Sequence, residues 1–590
     1  MITANFQQLS LFKLSVMIYD IEVNNRKIKA YRGETILSAL QRNGIIVPTL
    51  CFMKDLSPTG ACRMCVVEVE GEKNLVTACS HTVEEWMKIY THSLKVINTR
   101  KLIIEMLLAS HPDECLYCIR NTNCELQKYT AELNVSERRF NNFSERKKND
   151  VSGAGISYEP SKCILCGRCV RVCDEIQGVN TIDFIKRGIS TIINPSFSKS
   201  ISNSNCIYCG QCVRVCPTAA LTGKNHIPYV LKNVHKQNTK LVAQCSPAVA
   251  ISIAEEFGVK AGKDFSGQMV TALKKCGFDA VFDTSVSIDL HIYETAKIIV
   301  EKIKNNDKTT LFSSSCPAWV KYAEQSDFDL SRLSIIKSPQ QIMATLIKTL
   351  YAQNVNIKPE NIFSVSISPC LAKKYEAQRE EHNQNIYNEV DAVLLVRELA
   401  RLIKLSGIDF LKCEPAPFDE PFNIRSSASN LYAVSGGEAE SILRTVIFML
   451  TGKETKDNTY TKLRGFKDIK EISVKAGIYD INFAVVNGIK NIHKLLDEIK
   501  TCKRHYDFVE IMSCSGGCIN GGGQPLKTSV EDLKLRTKII YENDKKDVIN
   551  KAHKSPFVND FYNDTLNRLQ LVTSFDELFK TSYKYKKVLN

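Results

Sequence analysis

The spacing C-x2-C-x2-C-x3-C occurs twice in this 590-residue chain: as Cys163, Cys166, Cys169 and Cys173, and as Cys206, Cys209, Cys212 and Cys216, the last followed by Pro217. Thiolates are soft ligands, and this spacing wraps three of them round one iron–sulfur cube while the fourth crosses to a second. Cys163, Cys166, Cys169 and Cys216 are therefore expected on one 4Fe–4S cluster, and Cys206, Cys209, Cys212 and Cys173 on the other. The chemistry of such centres is one-electron transfer. The chain has 23 cysteines in all, and grouped thiols in a long chain read as metal ligands in a reducing cytoplasm rather than as disulfides. The first sixteen residues carry one lysine, no arginine and no small-residue cleavage site. They make a poor targeting segment, and Met17 is a candidate start. No stretch approaches the run of about 18 apolar residues that a membrane span needs. The formal charge of +14 counts every thiol as neutral. All-cysteinate clusters are anionic, so the lysines are read as a solvated face and no nucleic-acid partner is expected.

Two further groups precede these runs. Cys51, Cys62, Cys65 and Cys79 are separated by ten, two and thirteen residues, with glycine and small residues that let backbone amides approach sulfur. The pattern and its strand-loop lead-in resemble a plant-type ferredoxin domain, which implies a 2Fe–2S cluster in a β-grasp fold. "HPDECLYCIRNTNC" supplies His111, Cys115, Cys118 and Cys124. Zinc accepts the same ligand set. A segment with one histidine and three cysteines directly after a 2Fe–2S domain, however, resembles a 4Fe–4S module of iron-only hydrogenases and of the large iron–sulfur subunit of respiratory complex I. These fifteen cysteines and one histidine imply four clusters in series, a wire for single electrons that must end at a reaction site.

The elements that position these groups follow from the pattern of apolar residues. From Met17, "MIYDIEVNNRKIKAYRG" reads as two alternating strands joined at Asn24-Asn25, followed by a helix opening near Glu34. "ELQKYTAELNVSERRF" reads as an amphipathic helix and "NNFSERKKNDVSGAG" as a polar linker, in which Gly153 and Gly155 lack the third glycine of a dinucleotide fingerprint. Beyond about Gly223 strands alternate with helices, as in an α/β domain. There "TTLFSSSCPAWVKYAE", "FSVSISPCLAKKYEAQR" and "FVEIMSCSGGC" each run an apolar strand into cysteine. Ligands in open α/β sheets bind beyond the carboxyl ends of strands. Cys316, Cys370, Cys514 and Cys518 are thus expected round one point, near helix N-termini that favour anions. The chain is accordingly multidomain, α+β then α/β, with units at 17–95, 96–138, 139–225 and 226–590.

With these segments the chain resembles the FeFe-hydrogenases, whose signatures TSCCPxW, MPCxxKxxE and ExMxCxxGCxxxGGQP stand here as Ser313 to Trp319, Ser368 to Glu376 and Glu510 to Pro525. The resemblance runs from residue 17 to about 585 and implies the long, monomer-type architecture, ending in an α/β hydrogenase domain. It implies that Cys316, Cys370, Cys514 and Cys518 hold an H-cluster, a 4Fe–4S cube bridged by Cys518 to a diiron unit bearing CO, cyanide and a dithiolate amine. There dihydrogen is split or formed. Lys373 would donate to a cyanide, and Met512 and Gln340 would pack round the diiron unit. The glycines of "CINGGGQP" are read as room for that cofactor, which any Cβ would strike. Without the resemblance, Lys373 reads as a helix-surface lysine paired with Glu376, Met512 as core and Gln340 as surface. The implied partners are ferredoxin or a similar small carrier, maturation proteins that supply the diiron unit and, in an NAD-linked variant, other hydrogenase subunits. Cys245, Cys276, Cys413 and Cys502 are left as ordinary thiols.

The chain departs from that family where protons move. Ser315 stands in place of the first of two adjacent cysteines, which in the family passes protons to the amine, and Ser368 replaces a methionine. Along "LHIYETAKIIVEKIKNN", Thr295, Ile298 and Lys302 occupy the relay positions of two glutamates and an arginine, and Ser334 is kept. Ile298 has no polar atom, so the usual route is expected to be broken. A low-turnover hydrogen sensor and the catalytic subunit of a multi-subunit NAD-linked, electron-bifurcating hydrogenase are the rival readings.

Overall fold

The computed structural model describes residues 17–140, 148–382, 387–454, 459–501, 504–526, 528–566 and 575–586. Residues 1–16, residues 141–147 of the linker and Cys502 lie outside these. Asn24 and Asn25 both take positive φ (48° and 65°), the backbone that a two-residue hairpin turn requires. They join strands Ile18–Val23 and Arg26–Tyr31. The sheet continues through Lys88–Tyr90 and Val66–Val69 to Val76–Thr77, with Ile18–Val23 and Lys88–Tyr90 parallel and the other neighbours antiparallel. Helix Ile36–Arg42 is capped by Thr35, whose hydroxyl accepts from Ser38 N at 3.2 Å, and it buries Ile36, Leu37, Ala39 and Leu40.

Helices Leu94–Ala109 and Glu125–Glu132 flank the next cysteine loop. The second is shorter than its sequence pattern suggests, because Asn134 turns into left-handed backbone (φ 51°) just beyond it. In the following region Gly167 (φ 69°) and Gly210 (φ 75°) lead short helices Arg168–Arg171 and Gln211–Val215. This matched pair of left-handed turns sets the third cysteine of each run on a helical turn.

The C-terminal half holds two four-stranded sheets. In the first, Lys240–Cys245 lies between Ala280–Asp283 and Ile362–Ser368, with Ala392–Leu395 beyond, all parallel. In the second, Leu311–Phe312, Phe508–Met512 and Tyr479–Asn487 are parallel and Ile469–Ala476 is an antiparallel edge. Apolar runs do not say which sheet a strand joins. The three cysteine-bearing ends are divided, one on the first sheet and two on the second. One apolar core continues from the two-run cysteine region into this half: Ile156, Tyr158, Val213 and Leu221 pack in the same cluster as Trp319, Leu371, Val486 and Ile511. Tyr208 stacks on Tyr375 with ring centroids 5.6 Å apart.

Helix Gly437–Thr451 is tied to helix Val530–Lys546 by a buried ion network. Arg444 bonds Asp544 at 2.8 Å and Glu440 at 2.7 Å, and Glu440 also takes Arg464 at 2.7 Å. Removing one partner leaves buried charge uncompensated. Arg444→Met should therefore destabilise the fold by roughly 3–5 kcal/mol, read as a lowered urea midpoint of the cofactor-free protein. An unmoved midpoint would show that the network contributes nothing.

Candidate functional site

The outer thiols lie close enough to perturb one another. Cys51, Cys62, Cys65 and Cys79 titrate together: hydrogen bonds from Cys62 and Cys79 draw Cys51 far down, and both donors are pushed up in return. In the two-run region, burial pushes Cys166 up to about 12, with Cys216 and Cys163 adding to it. Cys169 is raised by burial and by Cys166, Cys163 and Cys216. Burial pushes Cys206 up to about 12, with Cys173 next, and Cys212 is raised by burial, then by Cys206 and Cys173. The charge of Cys173 is felt at Cys206, Cys209 and Cys212, and that of Cys216 at Cys166, Cys169 and also Cys212. Among the described residues no three His, Cys, Asp or Glu side chains are gathered as a single-ion site.

His111 is half-buried, its Nδ1 3.2 Å from the Pro112 carbonyl and its buried Nε2 without a partner. Burial lowers its pKa. An orphaned ring nitrogen beside a cysteine loop is a good metal donor. Cys124 is pushed up by burial and then by Cys118 and Cys115. Neighbouring groups are joined by guanidinium contacts. Arg120 donates to the Cys216 carbonyl at 2.8 Å, and Arg171 donates to the Cys51 carbonyl at 2.6 Å and to that of Ser57.

The three strand ends meet at a cavity of about 90 Å³ lined by Cys316, Cys370, Cys514 and Cys518 together with Ser315, Gln340, Lys373, Tyr432 and Met512. Cys514 is pushed up to about 11 by burial, with Cys316 next. Cys518 is held well above the ordinary thiol range by burial and by Cys370, Cys316 and Cys514. Burial also raises Cys370. Cys209 lines the same cavity, and Gln211 Nε2 donates to Cys514 Sγ at 3.3 Å and to the Asn520 carbonyl at 3.0 Å. The second cysteine run therefore abuts the cavity directly. Convergent thiols, of which Cys370, Cys514 and Cys518 are costly to ionise alone, suit an iron–sulfur group, which coordinates thiolate.

Lys373 Nζ donates to Glu376 at 2.8 Å and to Ser338 Oγ at 2.9 Å while lining the cavity. The local ion pair and the cavity position coexist. Gln340 is not a surface residue: it is buried, donates to Glu376 Oε2 at 3.0 Å and accepts from Ser366 Oγ at 2.8 Å. Met512 is buried at the end of its strand and lines the cavity. Ser334 Oγ accepts from Ile336 N at 3.4 Å and is not part of the lining. Thr295 is buried with its hydroxyl unpartnered, Ile298 packs among apolar side chains, and Lys302 pairs with Asp307. Gly517 and Gly521 line the cavity, and the fold adds a reason of its own for these glycines. A Cβ on Gly522 would lie 2.7 Å from Gly210 Cα, and one on Gly517 (φ 92°) 2.6 Å from Ser435 N. These contacts are with the chain's own backbone. Cys245, Cys276 and Cys413 are buried free thiols outside the lining.

One residue escapes the sequence reading. Glu438, in the first turn of helix Gly437–Thr451, is fully buried and accepts from Ser315 Oγ at 2.6 Å and Ser313 Oγ at 2.7 Å. A first-turn acid is so common at helix starts that its type carried no signal.

Residues 239–522 match the family described as iron only hydrogenase large subunit, C-terminal domain. Residues 19–93 match a 2Fe-2S iron-sulfur cluster binding domain, 100–139 the NADH-ubiquinone oxidoreductase-G iron-sulfur binding region and 162–220 a 4Fe-4S dicluster domain. The chain is 35% identical over 564 residues to the NADP-reducing hydrogenase subunit HndD of Solidesulfovibrio fructosivorans, covering 93% of this chain and 96% of that one. It is 35% identical over 546 residues to iron hydrogenase 1 of Clostridium pasteurianum, covering 91% and 94%. A solved variant of FeFe-hydrogenase HydA1 from Chlamydomonas reinhardtii superposes with a TM-score of 0.55 at 28% identity, covering 62% of this chain and 100% of that one.

Proposed function

Because this chain belongs to the iron-only hydrogenase family, we propose that it interconverts dihydrogen with protons and electrons at the inner cavity, where Cys316, Cys370, Cys514 and Cys518 hold the H-cluster. The observation that carries this reading is the convergence of those four thiols on one cavity, with Cys209 in its wall. When bound, the diiron unit supplies the heterolytic splitting of dihydrogen. The chain's residues do the rest. The four thiols anchor the group from two sheets, and the apolar, buried lining keeps bulk water out. Lys373, held between Glu376 and Ser338, presents a cation to the cavity. Gln211 fixes Cys514 against the neighbouring cysteine run.

The outer ligand sets are proposed as one 2Fe–2S and three 4Fe–4S clusters, so a fully loaded chain should carry about twenty irons. Infrared spectroscopy of matured protein tests the central claim, since CO and cyanide stretches report the diiron unit directly. Their absence from iron-replete, matured protein would sink it. A ferredoxin-type carrier suits the outer centres. The full-length likeness to a subunit named for NADP reduction supports a second reading, in which the chain works within a larger assembly. Co-purification of further subunits from native membranes-free extract separates the two.

The unpartnered His111 nitrogen gives a further expectation. His111→Ala should lower carrier-coupled turnover by on the order of tenfold or more while leaving the CO bands unchanged. Unaltered coupled rates, or zinc bound at the site, would remove this centre from the series.

A further inference from the structure

Glu438 is a carboxylate with no business in an apolar interior unless something there uses it. It is fully buried, and burying a carboxylate without a close cation is costly. Its hydrogen-bond donors are two hydroxyls, Ser315 at 2.6 Å and Ser313 at 2.7 Å. The basic group nearest it, His291 Nε2, stands at 3.6 Å and is itself unpartnered, and the buried Tyr432 hydroxyl lies beside both Glu438 and Ser315. Ser315 and Tyr432 both line the thiol cavity. The pair of hydrogen bonds therefore runs from the cavity wall straight into the protein.

We infer that Glu438 is the proton-relaying carboxylate of this chain, exchanging protons with the cavity through the Ser315 hydroxyl. The inference rests on the reading that protons are consumed or released in that cavity. Only O–H bonds change. A proton reaching Ser315 Oγ from the cavity side displaces the hydroxyl's own proton onto Glu438 Oε2, leaving serine neutral and the carboxyl protonated; proton reduction runs the same exchange backwards. Two further titratable groups are anchored on the same turn. Glu510 accepts from Gly436 N at 2.6 Å and Ala439 N at 2.8 Å, on the turn that carries Glu438. Burial, and then the charge of Glu438, pushes Glu510 up to about 7, within reach of neutral exchange. Lys470 reaches the same turn, donating to the Ser435 carbonyl at 2.7 Å and to the Gly465 carbonyl at 3.1 Å, and burial lowers it to about 8. Carboxyl, carboxyl and amine are thus gathered about the turn that carries Glu438, and Lys470 also reaches the loop of the exposed Phe466.

The test is Glu438→Gln in matured protein, which keeps the shape and removes the proton acceptor. The CO and cyanide bands should be present at their wild-type positions. Exchange of deuterium gas with solvent protons, which needs no external electrons, should fall by about a hundredfold or more. The response of the bands to a pH jump should slow in parallel. Wild-type exchange and wild-type band response in this variant would overturn the relay. If the variant takes up no diiron group, Ser315→Ala decides, because it leaves the carboxylate in place and breaks the same link. A comparable loss supports the relay, and full exchange overturns it. Absence of the bands from the wild type itself would instead refute the reading of the cavity.

Discussion

A Cys518→Ala chain, matured beside the wild type, is expected to lose hydrogen turnover and the CO and cyanide bands together while keeping its outer clusters. Cys518 faces Cys370, Cys316 and Cys514 across one cavity, so its loss removes a direct anchor. Loss of an outer partner of a metal site typically costs 10–100-fold; loss of the anchor should exceed roughly a hundredfold. The outer thiols lie in separate loops and share no ligand with it, so iron content should fall by about six of about twenty atoms at most. A variant that kept bands and activity would show that the H-cluster lies elsewhere.

Gly522→Ala should produce an effect of another kind. The new Cβ would stand 2.7 Å from Gly210 Cα, in backbone that no rotamer can clear. Something must shift, and overpacking of this sort costs about 1–3 kcal/mol. What shifts is the contact between the glycine-rich loop and the Cys209–Cys212 run, the place where Gln211 also bonds Cys514. Carrier-coupled evolution should therefore drop, whereas deuterium exchange, which draws no electrons from outside, should stay near the wild-type rate. Equal losses in both assays would mean that the substitution damages the cavity rather than the junction.

The cysteine groups were legible from sequence because cluster ligands are local: a loop must turn tightly to offer three thiols to one cube, and spacing records that turn. The partition of the strand ends between two sheets was not legible, since Ile362–Ser368 and Phe508–Met512 are equally apolar and pairing is decided over hundreds of residues. Gln340 looked like a surface amide because its partners, Glu376 and Ser366, lie 36 and 26 residues away. The tight glycines also have a neighbour, the chain's own backbone, that only the fold reveals. Glu438 was invisible for the same reason, its two serine partners being 123 and 125 residues distant.

The core shared by Ile156, Tyr158, Val213, Leu221, Trp319 and Leu371 bears on how such chains can be rebuilt. A cut near residue 225 looks like a seam in the sequence, yet it would strip aromatic and aliphatic side chains of their packing on both sides. The segment with the two cysteine runs is therefore no detachable cassette: grafting or deleting it demands resurfacing of the hydrogenase half. The Ile18–Tyr90 sheet is different. Most of its apolar core is its own, so an exchange of this portion would have to rebuild only a narrower seam, where Leu50 and Met64 pack against Ile104 and Leu126 and where Arg171 bonds the Cys51 carbonyl.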